Sequence, residues 1–118
     1  MNAYRLPIRF LKALAHPARL EILNALREEE ECVCHLTVRL RQRQAYVSQQ
    51  LMLLRRAGLI EDRKDGLRVY YHIKDLRVLQ VLDAVNALVG VKDAPTASRV
   101  IAVCSCPKCK PGKRLVGS

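Results

Sequence analysis

The chain has 118 residues, half of them apolar and 27% charged, which suits one domain with a buried core and excludes general disorder. Lys and Arg number 21 against 11 Asp and Glu, and the formal charge of +10 points to a polyanionic partner, nucleic acid ahead of an anionic membrane surface. No apolar run approaches the ~20 residues needed to cross a bilayer, and the first residues lack a secretory signal pattern. The expectation is therefore a cytoplasmic chain with no membrane partner, whose five cysteines stay reduced and serve metal or redox chemistry.

Leu6, Phe10, Leu11 and Leu14 keep one apolar stripe and predict a first helix. Pro17 suits the first turn of a second helix, where its missing N–H would have no partner in any case. Leu20, Leu23 and Leu26 are expected on that helix's buried side, and the acidic run 28–31 reads as a solvated turn. A short third helix is expected over 32–40, then a basic turn of Arg41, Gln42 and Arg43. A fourth follows over 44–57, with Gly58 placed to end it. On a helical wheel Leu51 and Leu54 fall within about 40° of Val47, so these three face a core. The opposite side carries Ala45, Ser48, Gln49, Met52 and Arg56, a face that can approach a partner and hydrogen-bond to it.

Asp65-Gly66 is a hairpin-turn signal, because both residue types tolerate positive φ. With Leu59-Ile60 before it and the run 67–73 after it, a two-stranded hairpin is predicted whose tip is ringed by Arg63, Lys64 and Arg68. Leu76, Leu79, Leu82, Val85, Leu88 and Val89 predict a fifth helix ended by Gly90. Residues 92–118 read as a basic arm carrying Cys104, Cys106 and Cys109. A mainly α domain with a helix–turn–helix, a small basic β-hairpin and a closing helix is a winged helix–turn–helix. Its fourth helix fits a major groove, and the hairpin tip can touch neighbouring phosphates. Residues 39–74 hold nine Lys and Arg against three acids, so charge gathers where this reading needs it.

Four segments in this order and spacing resemble the ArsR–SmtB metal-responsive repressors: ALAHPARLEILNAL (13–26), ECVCHLT (31–37), QAYVSQQLMLLRRAGLI (44–60) and DGLRVYYHI (65–73). The resemblance implies a homodimer, joined through its first and last helices, that binds double-stranded operator DNA and releases it on binding a metal or metalloid. Residues 1–91 are then the DNA-binding and dimerisation domain. By the same resemblance the reading helix is 44–57, with Ser48 and Gln49 facing bases and Tyr46 near phosphates. Arg41, Arg43, Gln44, Arg56, Arg63, Lys64 and Arg68 complete the expected DNA contacts. The chain departs from the family pattern at Arg43, where a Ser-type cap is common, and at Ala45, where Pro is common; this touches operator preference rather than fold.

Cys32-Val33-Cys34 offers two thiols one residue apart, which can close on one soft ion if the local backbone turns both the same way. In the family a Cys-Val-Cys here is the ligand core for As(III), Sb(III), Cd(II) or Pb(II). The position of a third family cysteine is occupied by Thr37, and His35 stands where Asp is common; His35 is expected to point away from the thiols. As(III) normally takes three sulfurs, so the expected site adds at least one of Cys104, Cys106 and Cys109, whose spacing also permits Zn(II) bound by the tail alone. Asp83 stands without a histidine on the fifth helix, so the family's zinc site there is not expected. His16 and His72 are read as structural.

Three alternatives remain open: a thiol-redox or persulfide-sensing repressor on the same fold, a metal-trafficking protein that binds no DNA, and an enzyme. The last has the least to carry it. Cys106-Pro107-Lys108-Cys109 lacks the βαβ setting of an oxidoreductase motif, and neither a Ser–His–Asp set nor a Gly-rich phosphate loop is present.

Overall fold

The computed structural model describes residues 2–91; the tail expectations, Cys104, Cys106 and Cys109 among them, lie outside the described residues. The elements run α1 (Asn2–Leu14), α2 (Pro17–Ala25), β1 (Glu31–Cys32), α3 (Val33–Leu40), α4 (Gln44–Arg56), β2 (Ile60–Asp65), β3 (Arg68–Ile73) and α5 (Arg77–Val89). The strands form an antiparallel sheet in the order β1-β3-β2, so β3 is central and β1 caps the wing. The result is the expected winged helix–turn–helix, with one strand more than the hairpin.

The core gathers where three helices meet. Ile22 and Leu23 of α2, Leu36 of α3, and Val47, Leu51 and Leu54 of α4 are all within 1% of full burial. The wheel reading of α4 is therefore met residue by residue. The helix ends as expected too: Gly58 takes φ +81°, a conformation that costs a side chain energy, and the Leu59 N–H returns to the Leu54 carbonyl at 3.1 Å.

Three local expectations are corrected. Leu20 is 40% exposed rather than buried; the α2 stripe is Ala18, Ile22 and Ala25, with Leu23 beside it, and Leu20 lies about 160° around the helix from Ile22. Glu31 is not in a solvated turn, because it pairs with Tyr71 as the first residue of β1 and is 1% exposed. The two residues of the hairpin loop are Gly66 and Leu67, since Asp65 still pairs with Arg68. Only Gly66 has positive φ there, so a Gly-first turn replaces the Asp-Gly one. The fifth helix forms and is closed by Gly90 as expected; Val78 and Leu82 enter the core, whereas Val85, Leu88 and Val89, and Leu76 at its N-cap, are exposed.

The exposed residues of α5 matter for assembly. Tyr4, Leu6, Ile8 and Leu11 of α1 are exposed as well, so the first and last helices both carry large apolar side chains on the surface. Contiguous exposed apolar patches are a common mark of interaction faces. No helix among the described residues is long and apolar enough to cross a membrane.

Candidate functional site

The helix–turn–helix corner is built by an unusual cap. Arg41 closes α3 in the left-handed region at φ 56°, the one non-glycine residue with positive φ among those described. Its N–H returns to Val38 and that of Gln42 to Thr37, at 3.1 and 3.3 Å, which satisfies the last carbonyls of α3. The corner sets the Arg41 and Arg43 side chains in solvent at the N-terminus of α4. Arg43 is the N-cap residue and makes no side-chain cap bond, so its side chain leaves the first N–H groups of α4 uncapped. Open N–H groups at the positive end of a helix dipole suit a phosphate.

Gln44, Ala45, Ser48, Gln49, Met52 and Arg56 are exposed on one side of α4, as expected for a reading face. Gln50 points the other way and is 5% exposed; its Oε1 accepts from Arg19 Nη1 at 2.9 Å, while Arg19 Nε donates to the Ala13 carbonyl at 2.7 Å. Tyr46 is half-buried against the core with its hydroxyl 3.4 Å from His16 Nε2. His16 also accepts the Ala18 N–H on Nδ1 at 3.1 Å as the N-cap of α2, the structural part foreseen for it. This Tyr46–His16 contact ties the start of the reading helix to the start of α2.

The wing cations are held differently. Arg63 forms a bidentate pair with Glu30, Nε to Oε2 at 3.2 Å and Nη2 to Oε1, and lies 5.0 Å above the Tyr70 ring. The Glu30 hydrogen bond, opposed by slight desolvation and helped by the charges of Glu30 and Asp65, raises the Arg63 pKa. Lys64 is exposed at the tip, and Arg68 is half-buried on β3. Arg55 of α4 reaches Asp62 of β2 at 3.3 Å, and Glu61 pairs with His72 across the strands at 3.1 Å.

The Cys32 and Cys34 sulfurs lie 2.7 Å apart, so both turn to the same side. Cys32 is the N-cap of α3 and its Sγ accepts the His35 N–H at 3.4 Å; negative charge on a sulfur is favoured at a helix N-terminus. With Tyr70 the two cysteines form a small apolar cluster apart from the main core. The His35 ring is buried and its Nε2 sits 3.7 Å from Glu31 Oε1. Thr37 gives its hydroxyl hydrogen to the Val33 carbonyl at 2.8 Å. Asp83 is taken by Arg27, at 3.0 and 3.3 Å. Two soft donors so placed fit a thiophilic ion, and among the described residues no group of three or more Cys, His, Asp or Glu forms a set around one. Sequence reasoning missed Glu30, Glu31 and Tyr70. No short-range pattern marks them, because β1 has only two residues and its partner is some forty positions away.

Comparison with known proteins agrees with this geometry. The family described as bacterial regulatory protein, arsR family, matches residues 16–62. A transcriptional repressor SmtB homolog of Synechocystis is 39% identical over 72 residues, 61% of this chain and 54% of that protein. The arsenical resistance operon repressor of Escherichia coli is 44% identical over 72 residues, 60% of this chain and 62% of its own. A cadmium resistance regulatory protein of Listeria innocua is 36% identical over 75 residues, 63% of each chain. The chain thus spans between half and two-thirds of the length of these three relatives. Among solved structures, NolR from Sinorhizobium fredii superposes with a TM-score of 0.70 at 32% identity, over 75% of this chain and 89% of that one. The homodimeric winged helix–turn–helix domain Mb0332 from Mycobacterium bovis gives 0.69 at 29% identity, over 75% and 82%. The chain belongs to the ArsR–SmtB family of winged helix–turn–helix, DNA-binding transcriptional regulators, which are not enzymes.

Proposed function

We propose that this protein is a homodimeric repressor that binds double-stranded operator DNA and releases it on binding a thiophilic ion through cysteine thiolates. As(III) or Sb(III) is the first choice and Cd(II) or Pb(II) the second. The observation that carries the reading is the Cys32–Cys34 pair, turned to one side at the start of the helix that packs on the reading helix. An arsenical repressor and a cadmium regulator among the relatives support the ion class. The exposed apolar residues of α1 and α5 and a homodimeric structural neighbour support the dimer. On DNA, Ser48 and Gln49 read base edges, Gln44 and Arg56 flank them, and Arg41, Arg43, Lys64 and Arg68 meet phosphates. Tyr46 sits beside those phosphates and positions the helix through His16.

As(III) normally takes three sulfurs and the described residues bring two together, so at least one of Cys104, Cys106 and Cys109 completes the site, from the partner subunit by preference. The alternative for the tail is a separate Zn(II) site. The paired thiols also favour a second reading, in which an oxidant or a polysulfide links Cys32 or Cys34 to a tail cysteine and the same fold senses redox state. A trafficking protein without DNA binding would leave the reading face without a role.

The test begins with an operator selected from random duplexes. The reduced protein is then titrated with As(III), Sb(III), Cd(II), Pb(II) and Zn(II), following thiolate absorption and operator release together. Release by As(III) or Cd(II), coincident with thiolate bonding and lost on truncation after Val103, is expected. Release only by oxidants or persulfides, with a matching mass change, establishes the redox reading instead.

A further inference from the structure

Arg63, Tyr70 and Cys32 lie in one row across the sheet. Arg63 of β2 is the register partner of Tyr70 on β3, and Tyr70 is the register partner of Cys32 on β1. Residues directly opposite in adjacent strands present side chains on the same face and touch. The Arg63 guanidinium accordingly lies over the Tyr70 ring, and that ring packs against Cys32 and Cys34. Glu30, two residues before Cys32, closes the row from the far side by taking both ends of the Arg63 fork. A wing cation is thus anchored to the strand that carries the first thiol, across the full width of the sheet.

We propose that the row Cys32–Tyr70–Arg63, locked by Glu30, couples the thiol site to the wing, and that Arg63 is a positioning residue of this coupling rather than a phosphate ligand. The proposal rests on the ion-releasing reading above. Drawing Cys32 toward an ion shifts β1, which meets the wing through its pairing with Tyr70 and Tyr71 of β3, while Glu30, just before β1, holds the Arg63 fork. A bidentate Arg–carboxylate pair has a narrow geometry, so a small displacement of residues 30–32 breaks or re-aims it. The wing then changes position at the tip, where Lys64 faces solvent. A ligand moves such an equilibrium only through contacts that differ between the two states, and this row supplies them.

The test uses full-length reduced protein, the selected operator and arsenite, and compares wild type with Glu30→Gln, Arg63→Gln and the double variant. The quantity read is the ratio of operator affinity without and with arsenite. Both single variants should bind operator about as well as wild type without arsenite, with an unchanged salt slope. Each should lose about threefold or more of the wild-type ratio, within the range that residues along a coupling route command. The double variant should lose no more than either single one, because both changes open the same fork. A salt slope reduced by about 0.9 in Arg63→Gln marks a phosphate ligand and overturns the positioning role.

Hydrogen exchange in residues 60–73, without DNA, gives the second arm. Arsenite should change exchange there in wild type and not in Glu30→Gln; equal change in both overturns the coupling. Should a variant fold poorly, Arg63→Lys keeps the charge but not the fork and should show the same loss of ratio. No release from wild type overturns the functional reading and the coupling with it, whereas equal release from wild type and variants overturns the coupling alone.

Discussion

On α4 and the turn before it, Arg41, Arg43 and Arg56 stand in solvent with no carboxylate within salt-bridge distance among the described residues. On the wing, Arg63 is gripped by Glu30, laid over Tyr70 and 3.9 Å from Asp65. Both regions are basic in sequence, yet Arg41, Arg43 and Arg56 face outward, whereas Arg63 is held by an acid and a ring beside the exposed Lys64. Net charge per segment therefore locates a DNA-binding domain without saying which cations touch DNA. That depends on where the acids fall, and Glu30 lies far from Arg63 in sequence.

The largest effect expected is one that removes the distinction by breaking what both regions share. Leu36 is fully buried and joins α3, which begins at the thiols, to the α4 side of the core. Leu36→Ala should cost about 2–5 kcal/mol of unfolding free energy, read by denaturant titration, and should weaken DNA binding and ion response together. Loss of one with the other intact would mean that the regions are not coupled through this core.

Next in size is base reading. Gln49→Ala should lose roughly 1–3 kcal/mol of discrimination at the base it contacts, with Lys64→Ala weakening all duplexes alike. Affinity for the selected operator and for single-base variants of it separates the two; uniform weakening by both would place the reading face elsewhere.

His16→Ala removes the side-chain cap of α2 and the contact that holds Tyr46. About 1 kcal/mol of stability should go, as for other lost helix caps, together with a modest fall in operator affinity from the loosened start of α4. Unchanged affinity would show that Tyr46 needs no such positioning.

The smallest effect lies where the wing leads into α5. Asp75 accepts the Arg77 side chain and the Arg77 N–H, and these bonds lower its pKa to about 2. A folded value below the unfolded ~3.9 stabilises the fold above pH 4 and loses that contribution as pH falls through about 2. The carboxylate is exposed to solvent, so the gain is small. Carboxyl NMR titration should find a depressed midpoint for Asp75 that returns toward the ordinary range in Arg77→Gln.

Much of the fold was legible because helical period is a local signal. Val47, Leu51 and Leu54 could be placed in the core from their spacing alone, and the outward set around Ser48 and Gln49 followed from the same wheel. Leu20 has the apolarity of a core residue but not the position of the stripe, because α2 buries Ala18 and Ala25 in its place. Glu31 was misplaced because a two-residue strand has no period to detect, and its burial depends on Tyr71 of β3. The thiol pair was legible from its spacing, but the same-side turn of both sulfurs comes from the passage of β1 into α3 at Cys32. The grip of Glu30 on Arg63 could not be read locally, since Glu30 lies 33 positions away in the chain.

The central claim is that Cys32 and Cys34 govern release of DNA bound by a separate face. It is tested most directly by titrating arsenite into the reduced wild-type protein and into Cys32→Ser/Cys34→Ser, each on the same operator at one salt concentration. Both proteins should bind the operator with similar affinity before arsenite. Wild type should then release it as its thiolates bind the ion, and the double variant should stay bound. Release of the same size from both would contradict the account.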